Sequence, residues 1–197
     1  MQKYTRLANF LTPLTKFFVT ETGNKICYDA LQIHGGVGYT TDFAIERLCR
    51  DIRITNIYEG TTQMQIVAAI SGVISGTFCE RLREYETIHR LHEYAPIIPL
   101  FEKARSFHSY IESAINHLKQ KGDSVYQDYH ARRLTEMSAY TLISYLLCID
   151  ALRAKEEQRT LLAEFFINIA EPKIICGTKA ILSNYRGVVD NYTKIIS

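Results

Sequence analysis

The amino-acid sequence predicts an all-α protein, an antiparallel up-and-down helical bundle, on three observations. Apolar residues recur at i, i+3, i+4 and i+7, as in Leu142, Tyr145, Leu146, Ile149 and Leu152 and in Ile66, Val67, Ile70, Val73 and Ile74. Clear punctuation separates the periodic stretches: Pro96 and Pro99 mark one boundary, and Lys121-Gly122-Asp123-Ser124 marks a helix stop followed by a helix cap. Alternating, period-2 strands are absent.

Taken in order, the first helix spans about 5 to 33 and stops where three glycines fall within four positions, Gly35, Gly36 and Gly38. A short helix follows at 43 to 53. A long one covers 61 to 90, opening at Thr61 or Thr62 as N-cap. The next runs from 97, just after Pro96, to 121, before Gly122. Helices at 125 to 155 and 158 to 184 complete the set, and Pro172 is expected to kink or divide the last, because it lacks an N–H and its ring crowds the preceding turn. The segment Leu142 to Leu152 is apolar on most sides and is expected to be central. Seven of the ten glycines precede Thr77, so the chain changes character near residue 78. This divides it into a part over 1–78 and a helical extension over 79–197 packed on it.

At 197 residues the chain holds one compact domain or little more. Charged residues at 22% and hydrophobic residues at 47% exclude long disorder. The net charge is +2, and the balance of Lys/Arg to Asp/Glu is 7 to 6 before Cys79 and 16 to 15 from there on. No basic arm exists, so nucleic-acid binding by counterion release has no electrostatic footprint. The most apolar segment, Leu142 to Ile149, is stopped by Asp150, so no membrane span is expected. The opening MQKYTRLANF lacks the apolar core and cleavage site of a secretory signal, which makes a cytoplasmic location the expectation. Cys27, Cys49, Cys79, Cys148 and Cys176 are widely spaced and form no Cys-x-x-Cys pair; buried free thiols are expected, with no disulfide frame and no metal site.

Two clusters carry possible chemistry. In Gln32-Ile33-His34-Gly35-Gly36-Val37-Gly38-Tyr39 the glycines strip side chains from the backbone, permitting positive φ and the close approach of a phosphate or another chain. By themselves they also fit a helix C-cap and a tight turn. They are not a dinucleotide fingerprint, because no strand precedes them and the glycine spacing differs. The second cluster, Ile57-Tyr58-Glu59-Gly60-Thr61-Thr62-Gln63, opens a helix whose free first-turn amides suit an anionic or polar group. A carboxylate such as Glu59, pressed among apolar groups, has its charged form disfavoured, which moves it toward the range of a base at neutral pH. A solvated acid before a helix, favoured by the dipole, fits the same position.

Together, QIHGGVGY, the linker TTDFAIERLCRDIRI and TNIYEGTTQMQ resemble the C-terminal helical domain of the acyl-CoA dehydrogenase family, with matching spacing from Gln32 to Glu59 and likeness from about Leu11 to Ile74. The resemblance implies an FAD-dependent α,β-desaturation of an acyl-CoA thioester, as in fatty acid β-oxidation. It implies that Glu59 is the catalytic base and that its amide hydrogen-bonds the thioester carbonyl. Tyr58 lines the acyl pocket on this reading, with Gly60 beside the substrate. Thr61 and Gln63 match contacts to FAD in the same subunit; Gln32, Gly35 and Gly36 match contacts to the adenine-diphosphate end of a neighbouring subunit's FAD. A homo-oligomer, dimer or tetramer, is implied, with an electron-transfer flavoprotein or similar acceptor as partner. Arg47, Arg50 and Asp51 match the family's linker and fit structural ion pairs. Some branches of the family place the base on another helix; here Glu59 is retained.

Departures from the family pattern are also visible. Its N-terminal helical domain, its middle β-domain and the first helices of its C-terminal bundle would precede Met1, so the chain is expected to be part of a longer enzyme and inactive alone. After Gln65 a common basic residue is replaced in Ile66-Val67-Ala68-Ala69-Ile70. Residues from about 80 onward look like the C-terminal extension of longer family members, its apolar stripes fitting a bundle core or a subunit interface better than a membrane face. His89 and His92 fit solvated or capping roles, and Tyr126, Tyr129, Tyr140 and Tyr145 fit packing with a polar tip. The alternative function is a stand-alone helical dimerisation or docking module with a vestigial flavin site.

Overall fold

Helix follows apolar periodicity throughout the computed structural model, which describes residues 2–89 and 91–196. The helices are α1 (Gln2–His34), α2 (Ile45–Ile54), α3 (Thr62–Ile74), α4 (Thr77–Ile88), α5 (Ile98–Lys121), α6 (Ser124–Ala154), α7 (Glu157–Leu182), α8 (Gly187–Asp190) and α9 (Tyr192–Ile196). Short 3₁₀ turns occupy Gly35–Tyr39, Leu91–Glu93 and Ala95–Ile97, and no strand occurs among the described residues. The chain forms two units that divide within α3, after Ala69.

In the first unit α1 and α2 pack together. Gly23 permits their close approach, since a Cβ there would stand 3.1 Å from Ile52 Cδ1. The Cys49 thiol on α2 donates to the Cys27 carbonyl on α1 at 3.2 Å. Phe10, Leu14 and Phe17 make a buried stripe on α1 at helical spacing, and the stripe continues across Pro13.

The second unit is built on α5, α6 and α7, which all pack on one another. Its reversals are locally encoded. Gly122 caps α5 at φ 62°, a left-handed conformation that glycine adopts without cost. Asp123 then N-caps α6, its carboxylate accepting from the Tyr126 amide at 3.0 Å, and it also pairs with Arg186. α6 is the central helix, with Leu134, Met137, Tyr145, Cys148 and Ile149 buried, as the sequence predicts for this segment. The Tyr126 hydroxyl donates to the Ile181 carbonyl at 2.7 Å and ties α6 to α7. Buried Ser138 and Ser144 satisfy their hydroxyls on carbonyls four residues back, both at 2.8 Å.

Four expectations need correction. The helix read over 61 to 90 is two helices, because Gly76 adopts φ 96° between α3 and α4; a left-handed residue ends one helix and starts the next without interrupting the apolar periodicity that suggested one. Arg90, at the end of that reading, lies outside the described residues. Pro172 does not divide α7, which runs unbroken through it. Ile167, Ala170 and Ile174 are buried on both sides of Pro172, and that packing outweighs one lost backbone bond. Val67 and Leu146, read as members of apolar stripes, are exposed, since a stripe residue is buried only where a neighbour covers it. The thiols are free, but only Cys79 and Cys148 are buried; Cys27 and Cys49 are half-buried and Cys176 is exposed.

His89 caps the end of α4 and packs on Tyr85 with ring centroids 5.7 Å apart, while His92 is exposed, so the pair share no ligand-binding face.

His130, buried on α6 between the Tyr126 and Tyr129 rings, makes stability depend on pH. Burial, reinforced by Arg133, His117 and Lys121, holds its pKa down at about 4. The unfolded chain, titrating near the ordinary 6.5, therefore takes up a proton that the folded chain refuses as pH falls below 6.5. Stability should drop by about 1–2 kcal/mol between pH 7 and pH 5 from this group. Urea unfolding at the two pH values checks it: His130→Gln should flatten the dependence, and an equally steep loss in that variant would assign it elsewhere.

Candidate functional site

The segment between α2 and α3 leaves helix through turns at 55–59, anchored by the Tyr58 amide on the Ile54 carbonyl at 3.1 Å. Two successive residues then take positive φ, Glu59 at 52° and Gly60 at 91°. For glycine this is free; for glutamate it costs on the order of 1 kcal/mol. Surrounding contacts hold it in place. Gln65 Nε2 donates back to the Glu59 carbonyl at 2.9 Å, and Lys16 Nζ from α1 donates to the carbonyls of Tyr58 and Gly60, the latter at 2.7 Å. The same ammonium lies 5.2 Å from the Tyr58 ring centroid.

A polar network fixes the next turn of chain. Thr62 Oγ1 donates to Glu21 Oε1 at 2.8 Å, Asn56 Nδ2 donates to the same oxygen at 2.5 Å, and Asn24 Nδ2 donates to Asn56 Oδ1. Thr61 is the capping residue, its hydroxyl accepting from the Met64 amide at 3.5 Å, and Thr62 is the first residue of α3. Lys16, Glu21 and Asn24 escape sequence reading, since polar residues on a long amphipathic helix carry no local sign that they bond a loop some thirty to forty residues away. Beside this network lies a cleft of about 490 Å³ lined by residues that include Arg53, Asn56, Thr61 and Gln63.

Glu59 is exposed and is not pressed among apolar groups, as its apolar neighbours Ile57 and Tyr58 are themselves about half exposed. Within this chain the carboxylate faces solvent. Any desolvation it undergoes has to come from a group laid over it.

The glycine cluster sits at the C-terminal end of α1. Gly35 takes φ 67° and turns the chain into the 3₁₀ segment, where the sequence reading has a simple cap and tight turn. Gly38 is buried and required by packing, because a Cβ there would stand 2.4 Å from the His34 Cβ. Gly36 is different: its φ is ordinary and nothing within 4 Å would meet a side chain. The chain itself makes no demand for glycine at that position. Gln32, Gly35 and Gly36 are all exposed.

The structure sets Tyr58, Glu59, Gly60, Thr61 and Gln63 along the middle of α1, beside Lys16, Glu21 and Asn24, and the cleft at Thr61 and Gln63 is not lined by Gln32, Gly35 or Gly36. Asn24, the residue of α1 in this network nearest the glycine cluster, is eight helical residues from Gln32, roughly 12 Å along the axis. Each cluster offers polar backbone and side-chain groups to a ligand, and one chain does not close a single pocket from both.

Comparison with known proteins covers nearly the whole chain. The family profile described as acyl-CoA dehydrogenase, C-terminal domain, matches residues 4–72, and that described as acyl-CoA dehydrogenase C terminal matches residues 74–187. The caffeyl-CoA reductase-Etf complex subunit CarC of Acetobacterium woodii is 48% identical over 61 residues, 31% of this chain and 16% of that protein. A probable acyl-CoA dehydrogenase, fadE25, of Mycobacterium bovis is 48% identical over 58 residues, 29% of this chain and 15% of that protein. The crystal structure of an acyl-CoA dehydrogenase complexed with FAD from Bacillus anthracis shares the fold, with a TM-score of 0.71 at 20% identity over 86% of this chain and 32% of that one. The chain thus spans about a sixth of the length of the curated relatives it matches.

Proposed function

The chain belongs to the acyl-CoA dehydrogenase family, and from that membership we propose that it is the C-terminal part of an FAD-dependent enzyme that desaturates an acyl-CoA thioester between its α and β carbons. The observation that carries this reading is Glu59. A non-glycine residue in the left-handed region, held there by Lys16 and Gln65, is what a positioned catalytic group looks like, and a solvated acid before a helix needs no such clamp.

The residues present fit the cofactor at its polar edges: Thr61 and Gln63 line a cleft of about 490 Å³, and Gly36 is open to the approach of another molecule. Bound FAD supplies the acceptor for the β-hydride. Glu59 takes the α-proton onto its carboxylate, and its amide donates to the thioester carbonyl, stabilising enolate character as the proton leaves. Tyr58 and Gly60 flank the substrate. Thr61 and Gln63 bind the cofactor of their own subunit, and Gln32, Gly35 and Gly36 that of a neighbour. That Gln32, Gly35 and Gly36 stay out of the cleft lined by Thr61 and Gln63 supports two chains per site and hence a homo-oligomer, dimer or tetramer. On this reading electrons leave to an electron-transfer flavoprotein or similar acceptor. The helices offer the cofactor no enclosing wall, so the chain by itself should not turn over. Free thiols support a reducing compartment, the cytoplasm.

The test uses the longer protein that contains this chain. Given a saturated acyl-CoA and an artificial electron acceptor, it should bleach its flavin and release a product two hydrogens lighter. An FAD-loaded protein that leaves saturated acyl-CoA untouched but reduces the enoyl form would reverse the direction proposed. A protein that binds no flavin would return the chain to the docking-module reading.

A further inference from the structure

The packing of α4 against α5 places three metal-ligating side chains together that are scattered in the sequence. Cys79 comes from α4, and His108 and Glu112 lie one turn apart on α5. One ligand atom from each lies within 4.8 Å of the other two. We propose that Cys79, His108 and Glu112 form a site for one divalent cation of the zinc type, with a fourth position open to solvent.

Geometry is the first support. A tetrahedral centre with bonds of about 2.0–2.3 Å sets its ligand atoms about 3.4–3.7 Å apart. His108 Nε2 and Glu112 Oε1 already stand 3.5 Å apart. The Cys79 thiol, within 4.8 Å of both partners, closes in by at most about 1 Å to reach that spacing.

The second support is an unanswered polar atom. His108 is 7% exposed, and its Nε2 is buried without a hydrogen-bond partner. Folded interiors rarely leave such a nitrogen unpaired, and a cation between it and Glu112 satisfies it. The other ring nitrogen, Nδ1, faces Glu86 Oε1 at 3.9 Å, and that carboxylate is held by the Tyr145 hydroxyl at 2.6 Å. At 3.9 Å this is an ion-pair distance and not a hydrogen bond, and it places a carboxylate on the side of the imidazole from which a metal-bound histidine is oriented. Phe78, edge-on to His108 at 6.5 Å, supplies an apolar wall.

Charge and access agree. A thiolate, a carboxylate and a neutral imidazole balance a doubly charged ion, and binding displaces the thiol proton. This donor set selects zinc-like ions over calcium or magnesium, which take oxygen ligands. A cleft of about 200 Å³, lined by residues that include Cys79, Glu80, Glu112 and Asn116, admits water to the fourth position. Arg83 is the competitor: it pairs with Glu112. Its side chain is 60% exposed, so it swings into solvent when a cation takes its place.

The test is a cobalt(II) titration of the whole chain after chelator treatment. One equivalent should produce a thiolate-to-cobalt charge-transfer band, and zinc should bleach it. Cys79→Ser should abolish the band and Cys176→Ser should leave it intact. Glu112→Gln, at a half-exposed position that tolerates change, should weaken cobalt binding at least about 10-fold with an unchanged circular dichroism spectrum. Arg83→Gln should tighten it several-fold. Absence of the band, its survival in Cys79→Ser, its loss in Cys176→Ser, or unaltered affinity in Glu112→Gln would each overturn the site.

Discussion

Glu59→Gln in the complete enzyme is expected to keep FAD bound and to slow α-proton abstraction by about 10²–10⁴-fold, the usual worth of a positioned general base. The substitution is nearly isosteric and removes only the proton acceptor. The contacts that hold the backbone at φ 52° are made by carbonyl oxygens, with Gln65 on Glu59 and Lys16 on Tyr58 and Gly60, so glutamine inherits the same conformation. Thr61 and Gln63, proposed to hold the cofactor, are untouched. Two readouts separate chemistry from binding: flavin absorbance of the purified variant, and exchange of the substrate α-proton with deuterated solvent. Retained turnover in a flavin-loaded variant would move the base to another residue. Loss of flavin together with turnover would show that the change disturbed the loop, and Lys16→Ala, which removes the ammonium that holds the Tyr58 and Gly60 carbonyls, would then serve as the comparison.

Tyr145→Ala should cost the α5–α6–α7 unit about 3–5 kcal/mol, the range for removing a buried aromatic ring. The side chain is fully buried in the centre of α6, with its ring edge-on to Phe101 at 5.6 Å. Its hydroxyl donates to Glu86 Oε1 at 2.6 Å. Burial, with Glu86 adjacent, pushes the phenol well above its usual range, so the proton stays on Tyr145 and the bond persists at any working pH. Tyr145→Phe keeps the ring and deletes that bond. It should cost about 1–2 kcal/mol, because the Glu86 carboxylate loses its donor while Arg105, at 3.6 Å, remains. Urea denaturation of the three proteins apportions the effect between ring and hydroxyl. A Tyr145→Phe variant as stable as the wild type would mean that water replaces the phenol at Glu86.

Much of the secondary structure was legible because its causes are local. The starts and stops of α2, α5 and α6 fall within two residues of those read from periodicity and capping, since Gly122, Asp123 and Pro96 act on the backbone beside them. The break at Gly76 was missed for the complementary reason: the apolar pattern runs through it, and only the backbone shows that the glycine turned left-handed. The division expected as one outcome at Pro172 fails for the opposite reason, a local rule overridden by packing on both sides of it.

By itself, the sequence determined that this chain is helical and which family it belongs to, because helix signals and motif residues are read within a few positions of one another. Only the tertiary structure decided that Glu59 stands exposed in a clamped loop, that Lys16, Glu21 and Asn24 do the clamping, and that the cleft beside Thr61 and Gln63 forms without the glycine cluster. It alone decided that Cys79, His108 and Glu112 meet. Those facts depend on which helix faces press together, and contact between residues distant in sequence is set by packing and not by local preference.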